Sequence, residues 1–172
     1  MRGLCMFFAG FLLLGIVVTA CSDINCTSSS SAYASYVFKD RNDSTLRFID
    51  TLSVGTTSLA GHDTVLLNRL TGDTAMSLPV SPSLTADTLY LFYFWRQANP
   101  LQAFDTLIVR HTNVPRFTSP ECGLTVAHTI EDVSFTKNFI QDIQLLNPDV
   151  SANTAYNFKI LFNVLATDTV WK

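Results

Sequence analysis

The sequence predicts an all-β chain: a single β-sandwich of about seven to nine strands, immunoglobulin-like or transthyretin-like, over residues 32–172, behind an export segment. Three observations predict it. Short runs rich in Thr, Val, Ile, Phe and Tyr recur roughly every ten residues, with turn clusters between them. Residues 89–95, LYLFYFW, are all large and apolar or aromatic, as expected of a central strand covered on both faces. No stretch after residue 31 holds a long helical stripe, and the one short apolar run that fits both periods, 139–146, sits among strands.

Before the sandwich, residues 1–20 have the parts of a secretory signal: Arg2 as the single n-region charge, an uncharged apolar run over 4–18, and small residues leading to Val18-Thr19-Ala20-Cys21. The apolar run is near fifteen residues, short of the ~20 that a transmembrane helix needs. A cysteine directly after such a run reads as a lipobox, with Cys21 carrying the lipid; cleavage without lipid is the competing reading. Residues 21–31, with the serine-rich run 27–31, then form a lipidated N-terminus and tether.

The strands follow in order. Residues 32–39, AYASYVFK, alternate, with Tyr36 and Phe38 on one face and Val37 on the other, and 40–44, DRNDS, is a turn. Strands are expected over 48–58, 64–69 and 74–79, the last two separated by Thr71-Gly72-Asp73. The apolar strand 88–96 pairs as a hairpin with 104–110 across a loop at 97–103 containing Asn99-Pro100. Residues 113–120 read as an exposed segment before a strand at 124–133. Residues 139–146 are read as a strand closed by Asn147-Pro148, and 156–162 place Tyr156, Phe158, Ile160 and Phe162 on one face with Asn157 and Lys159 on the other.

Charge excludes one class of partner. Removal of Arg2 leaves ten basic against 14 acidic residues, a net charge of about −4, with the cations scattered singly. Nucleic-acid binding has no electrostatic footprint here. Electrostatic adhesion to an acidic membrane is disfavoured as well, so lipid on Cys21 would hold the protein at the membrane.

Of the four cysteines, Cys5 leaves with the signal and Cys21 takes lipid, so Cys26 and Cys122 remain. In an oxidising compartment the economical reading is a disulfide, which would close a loop of about 95 residues and contribute about 4 kcal/mol in the chain-entropy model. Two thiols and a metal site are the alternatives, the latter poor because no histidine accompanies either cysteine.

The Cys21-Ser22-Asp23 start with Cys26 close behind, Tyr36-Val37-Phe38-Lys39-Asp40, Glu121-Cys122-Gly123, and the Asn147-Pro148 turn with Asn157-Phe158-Lys159-Ile160 resemble a family of small exported lipoproteins of unknown function from Bacteroides-type Gram-negative bacteria. The resemblance covers most of the mature chain and implies an envelope location and an all-β domain, with no assigned activity. Ser22 after the lipidated cysteine, in place of Asp, points to the outer membrane.

Asp-Thr recurs. Asp43-Ser44, Asp50-Thr51, Asp63-Thr64, Asp73-Thr74, Asp87-Thr88, Asp105-Thr106 and Asp168-Thr169 are each followed by an aliphatic residue or Thr. Turn chemistry explains the spacing, since Asp suits the end of a turn and Thr the start of a strand. The pattern also looks like the Asp-Ser/Thr-apolar acceptor of O-glycosylation in the same bacteria, making Ser44, Thr51, Thr64, Thr74, Thr88, Thr106 and Thr169 candidate sites.

Catalytic groups are thin. His62, His111 and His128 fall in three separate segments, Glu131-Asp132 is the only adjacent acidic pair, and there is no nucleophile elbow, phosphate loop, calcium loop or other metal motif. The expected function is therefore a non-enzymatic accessory module anchored in the outer membrane, docking through a surface such as 97–103 or 113–120 onto an envelope complex containing a β-barrel protein. The alternative is an envelope glycan hydrolase with Glu131 and an Asp as its carboxylates.

Overall fold

The computed structural model describes residues 32–58, 60–94, 102–119, 123–150 and 156–164. Among them are ten strands: β1 (Tyr33–Lys39), β2 (Thr51–Thr57), β3 (Asp63–Leu70), β4 (Ala75–Pro79), β5 (Ala86–Phe94), β6 (Gln102–Ser119), β7 (Gly123–Phe135), β8 (Ile140–Leu145), β9 (Asp149–Val150) and β10 (Phe158–Phe162). They form a four-stranded sheet, β4-β1-β10-β8, and a six-stranded sheet, β3-β2-β5-β6-β7-β9. Every pairing is antiparallel except β1 with β10, which run parallel with Tyr36 opposite Phe158. The fold is the all-β sandwich expected.

The period-two pattern explains which face of each strand turns inward. Ala34, Tyr36 and Phe38 of β1 and Phe158, Ile160 and Phe162 of β10 are buried from one sheet; Leu52 and Val54 of β2, Leu89, Leu91 and Tyr93 of β5, and Leu107 and Val109 of β6 meet them from the other. Each of the large side chains among them contributes about 1.5–3 kcal/mol on burial. At one end the core is aromatic: the Phe162 ring lies 5.0 Å from Phe48, 5.6 Å from Tyr93, 5.5 Å from Phe139 and 5.8 Å from Phe38 between centroids.

Residues 139–146 do contain a strand, β8, and β5 does pair antiparallel with β6, over Ala86–Phe94 and Gln102–Arg110; residues 95–101 of the expected strand end and loop lie outside the described residues. Four sequence expectations change. The strand expected over 48–58 begins only at Thr51; Phe48 is a buried loop residue whose N–H donates to the Asp73 carbonyl. β5 is central but covered on one face alone: among the described residues no layer lies over the outer side of the six-stranded sheet, and Phe92 and Phe94 are 50% and 41% exposed.

Residues 113–119 are not a loop. β6 runs to Ser119 and stays paired with β7 up to Ser119 opposite Gly123. β5 leaves β6 at Ala86 opposite Arg110, so beyond that point β6 and β7 form a two-stranded arm except where β9 joins at His128 and Thr129.

Asn157 faces inward. Its Oδ1 accepts from the Ser35 N–H (3.0 Å), and its Nδ2 donates to the carbonyls of Asn147 (3.1 Å) and Asp149 (2.9 Å). The amide satisfies backbone groups of the β8–β9 turn that burial would otherwise leave unpaired.

Candidate functional site

The outer face of the six-stranded sheet carries an open cleft of about 640 Å³. On this face β2, β5 and β6 present the side chains opposite to the core set: Ser53 lies opposite Phe92, and Phe92 opposite Phe104. The Phe92 and Phe104 rings sit 5.0 Å apart, tilted at 49°, and Phe104 stacks on Tyr90 at 6.0 Å and 18°. Thr51, Ser53 and Arg69 supply the polar wall. Arg69 has a left-handed backbone, φ 53°, beside the irregular β2–β3 register, and its N–H donates to Ser53 Oγ at 3.1 Å. Such a conformation is unfavourable for a non-glycine residue and is held by the ladder around it. Among the described residues no carboxylate lies within ion-pair distance of its guanidinium.

The arm is the second exposed feature. Phe117 and Leu124 face each other across β6 and β7 and are 65% and 72% exposed; Val114 is exposed on the opposite side. Pro115 stands where the edge of β6 has lost β5, and its missing N–H discourages a further strand from pairing there.

The third feature is buried. The hairpin register sets Asn113 opposite His128, bringing together two histidines that the sequence places in separate segments. Asn113 Nδ2 donates to the carbonyls of Ser81 (3.2 Å) and Leu84 (2.6 Å), which turns Oδ1 toward the rings. Oδ1 then accepts from Nδ1 of both His111 (2.8 Å) and His128 (2.7 Å). The other ring nitrogen of His111, Nε2, lies 3.2 Å from Asp87 Oδ2, so both nitrogens of this ring have partners. His128 differs: its Nε2 is buried without a hydrogen-bond partner among the described residues. Burial, and then the neighbouring His111 charge, lower its pKa from the ordinary 6.5, with Asp87 opposing.

This cluster ties β6 and β7 to the segment linking β4 to β5. Asp87 and His111 make half of a Ser-His-Asp arrangement, but Asn113 occupies the second nitrogen where a nucleophile's hydroxyl would stand, and the ring is buried. Asp132 pairs with Arg110 on the surface at 2.8 Å, while His62 lies exposed in the β2–β3 turn. Among the described residues no three metal-ligating side chains converge, and no helix is long and apolar enough to cross a membrane.

Cys21, Cys26, Cys122, Thr169 and residues 97–101 of the expected docking loop lie outside the described residues. Ser44 is exposed in a turn, Thr64 is exposed on β3, and Thr51, Thr74, Thr88 and Thr106 are half-buried. Several of the preceding aspartates have structural tasks. Asp87 accepts from the Ser81 N–H (3.0 Å), and Asp43 pairs with Lys159 (3.1 Å). Asp105 is no turn residue. It is fully buried within β6, and its two oxygens accept from Thr136 Oγ1 and the N–H groups of Asn138, Phe139 and Ile140 at 2.7–3.0 Å. No sequence signal separates it from the other Asp-Thr pairs.

No curated protein and no solved structure matches the chain significantly. A family model does match, over residues 51–162, which runs from the first residue of β2 to the last of β10 and includes every wall of the outer cleft, the arm and the buried histidine cluster. The chain belongs to the family of unknown function DUF6452.

Proposed function

We propose that the protein is a lipoprotein of the bacterial outer membrane in Bacteroides-type cells, anchored through lipid on Cys21, and that its sandwich is a non-enzymatic accessory module for an envelope complex containing a β-barrel protein. The observation that carries this reading is the exposure of Phe117 and Leu124, opposite one another on an arm that projects past the sheet, since apolar side chains left in water on an isolated ribbon mark a contact surface. We propose with it a disulfide between Cys26 and Cys122. It would tie the end of the arm to a point five residues from the lipidated cysteine, bringing the apolar pair to the membrane surface. The tether also raises the effective concentration toward membrane residents, so a modest interface suffices. A glycan hydrolase gains nothing from His111, whose two nitrogens are both committed.

The test is a pulldown from detergent-solubilised membranes. A barrel protein recovered in stoichiometric amount, and lost with Phe117→Ser or Leu124→Ser while the domain still melts cooperatively, is the expected result. Turnover of an envelope glycan, abolished by Glu131→Gln, overturns the reading. Thiol alkylation of the unreduced protein should label neither Cys26 nor Cys122; Cys21→Ser should cost the protein its membrane placement, and a Cys21→Ser protein that still pellets with membranes, unprocessed but equally stable and placed, overturns the lipid role.

A further inference from the structure

We propose that the outer cleft of the six-stranded sheet binds an acidic oligosaccharide, with sugar rings lying on Phe92 and Phe104 and a carboxylate held by Arg69. The site is separate from the arm and stands or falls independently of the docking proposed above.

The chemistry of the wall is what such a ligand requires. A sugar ring offers an apolar face of C–H groups and a rim of hydroxyls, and it binds where a flat aromatic surface adjoins hydrogen-bonding groups. Phe92 and Phe104 supply two rings 5.0 Å apart, each about half exposed, and Tyr90 backs Phe104. Gly55 keeps the floor low beneath them: a Cβ there would lie 3.9 Å from the Phe92 ring. Ser53 Oγ accepts from the Arg69 N–H, which leaves its own hydroxyl hydrogen free to donate. Arg69 is the one charged side chain among the described wall residues, none of which is a carboxylate, so an anionic group on a ligand would complement it. The left-handed backbone that presents this side chain is the kind of local strain retained at binding sites. The volume, about 640 Å³, falls within the range of small-ligand clefts.

Two other occupants fit less well. Beside the two rings β2, β5 and β6 hydrogen-bond to one another, so an extended peptide could add a strand only at the free edge of β3, two strands away from Phe92. A second copy docked by a two-fold axis would bring the same cationic face to itself, with no acidic side chain among the described wall residues to pair with either Arg69.

The experiment is calorimetric titration of the whole lipidated protein in lipid nanodiscs with four probes: tri-galacturonate, a hyaluronan tetrasaccharide, a chondroitin tetrasaccharide and sialyllactose. At least one should bind with a Kd of about 1 mM or tighter. The methyl ester of that probe should bind about tenfold more weakly, the scale of one lost charge-assisted contact. Arg69→Asn is the decisive variant, because Asn tolerates φ 53° better than Arg: it should melt no lower than the wild type and yet lose the acidic ligand by about tenfold. Phe104→Leu should weaken binding without touching the charge. Failure of all four probes overturns the proposal, as does binding that Arg69→Asn leaves unchanged. A dimer in detergent that Phe92→Ala dissociates also overturns it, since the face would then be a self-interface.

Discussion

Tyr36 of β1 and Phe158 of β10 stack with ring centroids 4.8 Å apart and planes 10° apart, across the one parallel pairing among the described strands. Both rings are almost wholly buried, so the contact joins the first described strand to the last through the core. Phe158→Ala should therefore lower the unfolding free energy by about 3–5 kcal/mol, as large-to-small changes in a core do, and Phe158→Leu by less. Urea denaturation at one pH measures both.

Asp105 should be as sensitive, for a different reason. Its carboxylate receives one hydroxyl and three backbone N–H donors from the segment linking β7 to β8. In Asp105→Asn an NH2 group must face donors that it cannot accept from. A loss of about 2–4 kcal/mol is expected, with faster amide exchange at Asn138 to Ile140. Thr106→Val, which removes the candidate glycosylation site and keeps the carboxylate, should leave that exchange unchanged.

His128 gives the fold an acid-sensitive point. Its folded pKa is depressed, first by burial and then by His111. As pH falls below about 6.5 the unfolded chain takes up a proton at this residue that the folded chain refuses, so stability present above pH 6.5 is lost on the way down to the folded pKa. His128→Asn, which keeps a donor for Asn113 Oδ1, should flatten that part of the stability profile while leaving the carboxylate titrations at lower pH. Chemical denaturation at half-unit pH intervals gives the comparison.

Tyr93 carries a hydroxyl that is buried without a partner among the described residues, and burial together with the Asp105 charge raises its pKa well above the ordinary value. Removing an unsatisfied buried hydroxyl avoids its desolvation cost. Tyr93→Phe should thus stabilise the protein by about 1–3 kcal/mol, seen as a higher Tm; a drop in Tm would mean that the hydroxyl has a partner.

Sheet architecture was legible wherever side chains alternate cleanly: β1 and the inward face of β10 follow the sequence pattern residue for residue. β5 was legible as a strand but not as a half-exposed one, because a run of large residues looks the same with one face covered or with two. The length of β6 was hidden by Asn113 and Pro115, which read as turn residues yet are tolerated where β6 has a free edge. What makes sites here is register, and register is not local. Asn113 meets His128 only through a bulged pairing that shifts between Arg110 and His111. Asp105 finds its donors more than 30 residues downstream, and Arg69 adopts a glycine-like backbone with no glycine or asparagine to announce it.

The central claim, that the β6–β7 arm is the docking surface, is tested most directly by site-specific photo-cross-linking in intact cells. A photoreactive residue at position 124 on the arm should give one discrete, barrel-containing adduct in the membrane fraction, while the same residue at position 65, on the exposed edge strand β3, should give none. An unmodified band at position 124, or identical adducts from both positions, would contradict the account.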